Sequence, residues 1–408
     1  MSSNKNSGEV VVQEQHQHLS KWRVSSPIFQ TVLVGIVLFL NPGTYLAITG
    51  LGAGGKQPEL IGIVNDANVV LYTLFGASAV VGGGVINKIG PRYSLMLGVT
   101  GYPVYCGSLW WIDKGEGEWF VLFGGAWLGL SAGILWAVQG YICTCYPIES
   151  EKGFYIATTW ILNALGSVVG SAVVLGINIS NTSSSGVPPA VYLTFICLDC
   201  EMYLSLSGSF NSFYFNSRTR SLANFCYWTI QVVGSAAIAW TCDGNIFGRR
   251  RRRAFISAAF VAVIMGGTWI ALLAFLASND FDRAGPVIGI DWTDGRRFAG
   301  PFVLYMFLGA SYPIFQNFLI WVYSTFSNEP RTLGRYSGYF KGVQAFGTAT
   351  AFGIDSRYVS FLHQAIVYAG LMLGGLGLAS VSVYTYTSDT TYGQEEGVVV
   401  PEAFDGRY

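Results

Sequence analysis

The stretch Gly83-Gly-Val-Ile-Asn-Lys-Ile-Gly-Pro-Arg92 separates two long apolar runs, residues 61–86 and 93–112. A helix needs about 20 mostly apolar residues to cross a hydrocarbon core roughly 30 Å thick, because no water is present there to satisfy its backbone. Both runs therefore read as membrane spans, and the stretch between them as a tight turn at the bilayer surface. Its basic residues, Lys88 and Arg92, can cap helix ends and hold a cytoplasmic charge network. Reading outward from charge to charge gives further spans at 28–51, 119–143, 154–177, 222–242, 254–277, 300–325, 333–354 and 359–386. The fold class is all-α integral membrane, with about 11 helices if the harder region 188–215 is counted.

The composition agrees. The chain has 408 residues, 51% hydrophobic and 11% charged, whereas soluble domains carry about 25% charged residues. Its 23 basic and 23 acidic residues cancel, which excludes nucleic acid as the main partner and leaves the lipid bilayer. The 51 glycines suit spans whose backbones approach closely. The seven cysteines, at 106, 143, 145, 197, 200, 226 and 242, lie in or beside apolar runs and read as buried thiols. Cys197-Leu-Asp-Cys200 lacks the neighbouring strand pattern of a redox site. There is no phosphate-binding G-x-x-x-x-G-K-[ST] loop, no H-E-x-x-H and no nucleophile elbow with a triad. The expectation is neither an ATP-driven pump nor an enzyme, with no catalytic residue, no metal and no cofactor.

Residues 1–26 are polar and read as a disordered cytoplasmic tail, and residues 389–408 as a C-terminal tail. The first apolar run is too long for a signal-peptide core and is expected to remain as a helix. With the N-terminus inside, the segments 1–27, 87–92 and 146–153 hold Lys5, Lys21, Arg23, Lys88, Arg92 and Lys152, against Lys56 and Lys114 on the other side. The positive-inside rule favours that orientation. It places the sequons at Asn178 and Asn181 outside, where glycosylation occurs.

Arg249–Arg253 should then be cytoplasmic, which requires 188–215 to cross zero or two times. Two crossings need about 40 residues plus a turn, and the region has 28, with Asp199 and Glu201 in its middle. Either the charge rule fails here, with one crossing and an inverted second half, or 188–215 is a short hairpin or the fused remnant of two spans. The second reading is preferred. The chain accordingly divides into a tail (1–26), an N-terminal half of five spans (27–187), an irregular shortened junction (188–221), a C-terminal half of five spans (222–388) and a tail (389–408).

The turn that opened this reading resembles the G-x-x-x-D-R/K-x-G-R/P-R signature of the major facilitator superfamily, carried here by Gly83, Asn87, Lys88, Gly90 and Arg92, with Asn87 at the usual Asp position. Asp243-Gly-Asn-Ile-Phe-Gly-Arg-Arg250 is a looser echo, as expected for two parallel repeats. Asn41-Pro-Gly43, Gly50–Gly55, Phe215–Arg220, Asp291-Trp-Thr-Asp294 and Arg335–Gln344 resemble the UNC-93-like branch of that superfamily. The resemblance covers about residues 25–198 and 210–386. It implies a facilitator bundle of usually twelve helices in two pseudo-repeated halves, and a secondary transporter of a small solute or ion. The same branch includes a regulator of potassium channels and a trafficking chaperone for receptors. The alternative is thus a non-transporting partner of a channel or receptor. Either way the protein sits in the plasma membrane or an endomembrane such as vacuole or endosome.

Intramembrane polar and ionisable residues are the site candidates. They are Asp66, Asn68, Gln139, Gln316, Asn317, Lys341 and Gln344. Asp66 and Lys341 are expected to pair across the two halves, although Asp66 near the headgroups and a snorkelling Lys341 are the plainer readings. Asn163 and Gln231 are further candidates, or helix-packing groups. His363 is a candidate for proton coupling or an interfacial residue. Asn41-Pro-Gly43 and Tyr312-Pro313 should break helices where backbone lines a cavity. Inward-facing aromatic residues of the spans at 119–143 and 300–325 would suit a flat organic substrate or a cation.

Overall fold

The computed structural model describes residues 26–43, 61–113, 117–178, 204–279, 281–283, 288–357, 359–395, 398 and 400. Among them are eleven α-helices: α1 Pro27–Leu40, α2 Ile61–Gly98, α3 Gly101–Asp113, α4 Trp119–Cys145, α5 Lys152–Asn178, α6 Leu204–Tyr214, α7 Ser217–Asp243, α8 Arg250–Ala277, α9 Gly295–Ser324, α10 Pro330–Asp355 and α11 Phe361–Tyr386. Seven helical stretches among the described residues are long and apolar enough to cross a membrane.

The signature turn is tighter than a loop. α2 runs through it, kinking at Gly90, where φ is 80° and ψ 162°. A side chain there would be strained. Pro91 restarts the helix, so the third span consists of 91–98 followed by α3. Gly248, with φ 83°, repeats the device just before α8 in the echo sequence. α1 begins at Ser26, whose hydroxyl accepts from Phe29 N–H. It ends at Asn41, whose backbone and side-chain amides both donate to Val37 O; Pro42 has no N–H with which to continue.

Small residues set the packing. A Cβ on Gly133 of α4 would lie 2.6 Å from Phe75 O of α2, and one on Gly83 would lie 2.6 Å from Gly334 O of α10. Tyr72 of α2 stacks on Phe352 of α10 with ring centroids 5.5 Å apart. α5 and α7 run antiparallel, joined by Asn224 Nδ2 donating to Ser171 Oγ at 3.0 Å and by Phe154 N–H donating to Asp243 Oδ2 at 2.7 Å. Two cores result, one mainly from α1–α5 and one mainly from α6–α11. They meet along the α2/α10 and α5/α7 seams.

One end of the bundle, the basic face, gathers the signature turn, the α4–α5 and α7–α8 connections and the start of α10. There Arg250 Nη1 lies 3.1 Å from Glu149 Oε1, both side chains buried. Lys152, expected in a solvated loop, is 2% exposed instead. Its Nζ caps the end of α9 by donating to Ser324 O at 2.6 Å, and it also reaches Asn328 Oδ1 at 2.8 Å. Residues 389–395, expected in a disordered tail, are also built in. Thr391 donates through N and Oγ1 to Glu149 Oε1, Tyr392 OH accepts from Glu149 N–H, and Glu395 accepts from Asn328 N–H. These contacts satisfy buried groups that would otherwise lack partners.

The opposite face holds the described part of the junction. Within it residues 204–214 and 217–221 are helical; Asn216 Oδ1 caps Thr219 N–H and the start of α7 is clamped to the 288–294 loop. Arg218 donates through Nε and Nη2 to Asp291 at 2.7 and 2.8 Å and lies 4.9 Å over the Trp292 ring. Asn178 and Ser217, the far ends of antiparallel α5 and α7, share this face. The chain between them starts and finishes on one side. α6 has 11 residues, about 16 Å or half a bilayer core, and is tied to this face by Ser209 donating to Asp355 and Tyr214 donating to Arg297 O. Asn181 and the remainder of the junction lie outside the described residues.

The paired hydrogen bonds from Arg218, with those from Asn216 and Thr293, hold the Asp291 carboxyl well below the usual carboxylate range. A depressed pKa contributes stability that is complete above the unfolded value of about 3.9 and lost only as pH falls through the lower folded value. Asp291→Asn should therefore cost about 1–2 kcal/mol equally at pH 7 and at pH 5. Melting scans at both values check this; a difference that vanished by pH 5 would contradict the clamp.

Candidate functional site

The α4 glycines let α2 pack closely on one side, which leaves Trp136 and Gln139 of α4 facing the seam with the other half. Thr159, Trp160 and Asn163 of α5 lie beside them, spaced to share a helix face. From the second half come Gln231 of α7, Tyr312, Gln316 and Asn317 of α9, and Lys341 and Gln344 of α10. The pairs 312/316 and 341/344 also follow helical spacing.

These side chains form one buried cluster across both halves. The Lys341 Nζ lies 4.3 Å over the Trp136 ring and 5.8 Å from the Trp160 ring centre. Such cation–π contacts strengthen when desolvated, to about 2 kcal/mol. Trp136 and Trp160 have ring centres 6.1 Å apart, and Trp160 meets Tyr312 edge-on at 5.3 Å. Lys341 donates to Gln344 Oε1 at 3.2 Å, while Gln344 Nε2 donates to Tyr312 OH and Gln316 Oε1 at 3.1 and 2.8 Å. Trp160 Nε1 donates to Gln231 Oε1 at 3.2 Å, and Gln139 Nε2 to Thr159 Oγ1 at 3.0 Å.

The amide groups of Asn163 and Asn317 and the Nε2 atoms of Gln231 and Gln316 are buried without a hydrogen-bond partner. Leaving such atoms unpaired costs about 1–3 kcal/mol each. The cluster thus holds spare donors and acceptors that a polar ligand or water can satisfy once the halves part. Toward the basic face it is closed by Tyr323 OH bonded to Ser337 Oγ at 3.0 Å, and beyond that by the Glu149–Arg250 contact.

Of the sequence candidates, Gln139, Gln316, Asn317, Lys341 and Gln344 meet here. Asn68 does not; it accepts from Tyr105 OH inside the first half. The expected Asp66–Lys341 pair is corrected as well, since Asp66 is exposed. The Gly342 Cβ position meets Val80 and Gly76, which sets Lys341 level with that part of α2. Asp66 lies ten residues further along, about 15 Å. His363 is exposed and bonded to Ser360 at the start of α11. Asn87, Lys88 and Arg92 are exposed at the basic face. Trp160 was missed, having no aromatic neighbours in sequence to mark it. Among the described residues no group of His, Cys, Asp or Glu could hold a metal ion.

The halves and their seams are those of the major facilitator fold, which comparison with solved structures bears out. A proton:xylose symporter of that superfamily matches with TM-score 0.56 and 11% identity over 89% of this chain and 95% of that one. A bacterial homologue of the iron transporter ferroportin matches with TM-score 0.55 and 11% identity over 88% and 99%. The protein is a multi-pass integral membrane protein of this fold. No family model matches the chain, but relatives do. UNC93-like protein 1 of Arabidopsis thaliana is 33% identical over 91% of this chain and 93% of its own length. An uncharacterized membrane protein of Schizosaccharomyces pombe is 35% identical over 85% and 82%. The chain belongs to the UNC93-like family.

Proposed function

We propose that this protein moves a small solute or ion by alternating access, with the Lys341 cluster as its binding site. The carrying observation is that both halves build the cluster at once, Lys341 of α10 lying on Trp136 of α4. Opening either end of the seams would expose it, and closing would enclose it. That is transport chemistry rather than catalysis. The basic face, closed here, is the cytoplasmic one on the count of short-loop Lys and Arg, and glycosylation at Asn178 and Asn181 belongs to the other side. The ferroportin homologue and the xylose symporter are transporters by name, which supports the reading.

A second reading, a non-transporting partner of a channel or receptor, is favoured by α6, which among the described residues is 11 residues long and so shorter than a full span. The two separate in sealed vesicles carrying Asn317→Cys in a background without other cysteines. A transporter predicts labelling by a membrane-impermeant maleimide from both sides. It also predicts that Glu149→Gln, which weakens the closed face, raises labelling from the basic side about tenfold, a shift of about 1.4 kcal/mol in the open–closed balance. One-sided labelling indifferent to Glu149→Gln would sink transport and leave the partner role.

A further inference from the structure

A cavity of about 910 Å³ opens in the second half, walled by α9, α10 and α11 with Trp269 of α8 behind. Its rim carries Tyr339 and Val343 of α10 and Val367 and Leu371 of α11, all exposed. These positions lie near the middle of their helices, so the mouth faces bilayer hydrocarbon. Among the described residues, α6 meets α10 and α11 at the opposite face, through Ser209 to Asp355 and Phe213 against Phe361 at 5.7 Å. The 11 residues of α6 reach along only part of the two longer helices.

The inner end of the cleft is not apolar. Tyr312, Gln316 and Gln344 line it and belong to the Lys341 cluster as well. Gln316 is 2% exposed and its Nε2 has no partner. A mainly apolar passage, with a few hydroxyls such as those of Thr348 and Ser382 along it, therefore runs from the bilayer to a buried amide donor that wants an acceptor. A bare ion would lose its hydration along such a wall without compensation. A molecule with an apolar body and one polar head would lose nothing.

We propose that this cleft is a lateral entrance taking a lipid-soluble, amphipathic molecule, its body between α10 and α11 and its hydroxyl or amide head on Gln316 and Gln344. The proposal rests on the Lys341 cluster being the substrate site, and it names the class of substrate.

The test uses the full chain in vesicles containing a sterol that bears a photoreactive diazirine, with adducts mapped by peptide. Adducts should concentrate on the cleft walls. A Cβ on Gly347 would have nothing within 4 Å, so Gly347→Trp can fill the cleft with the melting temperature unchanged. It should cut labelling about tenfold. Gln316→Leu should weaken labelling by the free sterol and not by its 3-deoxy analogue, which has no oxygen to accept from Gln316 Nε2. Adducts spread over the whole lipid-facing surface and insensitive to Gly347→Trp would mean bulk lipid and overturn the proposal. So would a disulfide between Gly347→Cys and native Cys197 or Cys200, because the chain itself would then occupy the cleft. If access at position 317 is one-sided while Gly347→Trp-sensitive labelling persists, transport fails and the cleft stands as a lipid site. Two-sided access with insensitive labelling ends the cleft alone.

Discussion

Arg250→Ala should lower the stability of the detergent-solubilised protein by about 3–5 kcal/mol, whereas Arg252→Ala, two residues on and exposed, should change it by less than about 0.5 kcal/mol. The contrast follows from surroundings rather than charge. Arg250 and Glu149 are 2% and 4% exposed, and removing the guanidinium leaves the carboxylate buried with only neutral donors, from Asn328 and Thr391. Arg250 also donates to Ser388 O at 2.9 Å, so its loss releases the strap that follows α11. The apolar pair Glu149→Leu with Arg250→Met should recover much of the stability, because a buried ion pair gains little over well-packed hydrocarbon. Thermal unfolding of the four proteins decides it. A wild-type melting temperature for Arg250→Ala would show that the pair does not hold the face together.

Gly338→Leu should separate the halves at the same face. A Cβ there would run into Ala79 O and come within 3.2 Å of Gly83 N, both backbone atoms of α2. Backbone cannot turn aside as a side chain can, so the cost exceeds the usual 1–3 kcal/mol of about one overpacked side chain. The measurement is disulfide yield between Asn87→Cys and Gly334→Cys, since the Gly334 Cβ position lies 3.9 Å from Asn87 Oδ1. We expect Gly338→Leu to reduce that yield at least about tenfold, the equivalent of about 1.4 kcal/mol. Gly347→Leu on the same helix, in open space, is the control and should leave it unchanged. Equal yields in the two variants would mean that α2 and α10 tolerate separation without opening.

The seven long apolar stretches were legible because apolar length is a one-dimensional property, and the turn at Gly90 because its glycine, proline and charges fall together. Polar residues inside spans were equally visible, which is why Gln316, Asn317, Lys341 and Gln344 could be named. What sequence could not supply was depth and facing. Asp66 and Lys341 look alike as isolated intramembrane charges, yet one points away from the protein and the other into aromatic rings, because α2 and α10 are set by the contacts of Gly83, Gly338 and Gly342. Five consecutive arginines read as a solvated marker of sidedness. Only the packing of the α7–α8 connection against Glu149 shows that Arg250 and Arg253 are buried while their neighbours are not. Residues 389–395 are polar and short, and their order depends on partners more than 240 positions earlier, at Glu149.

That last dependence has a bearing on how the protein is made. Every helix among the described residues is synthesised before Thr391, Tyr392 and Glu395 leave the ribosome, so the nascent protein passes through a stage in which those helices are made but its basic face lacks the donors and acceptors that complete it. A frameshift or premature stop just after α11 would yield a chain with the eleven helices described and an unfastened end, open to quality-control proteases on that side.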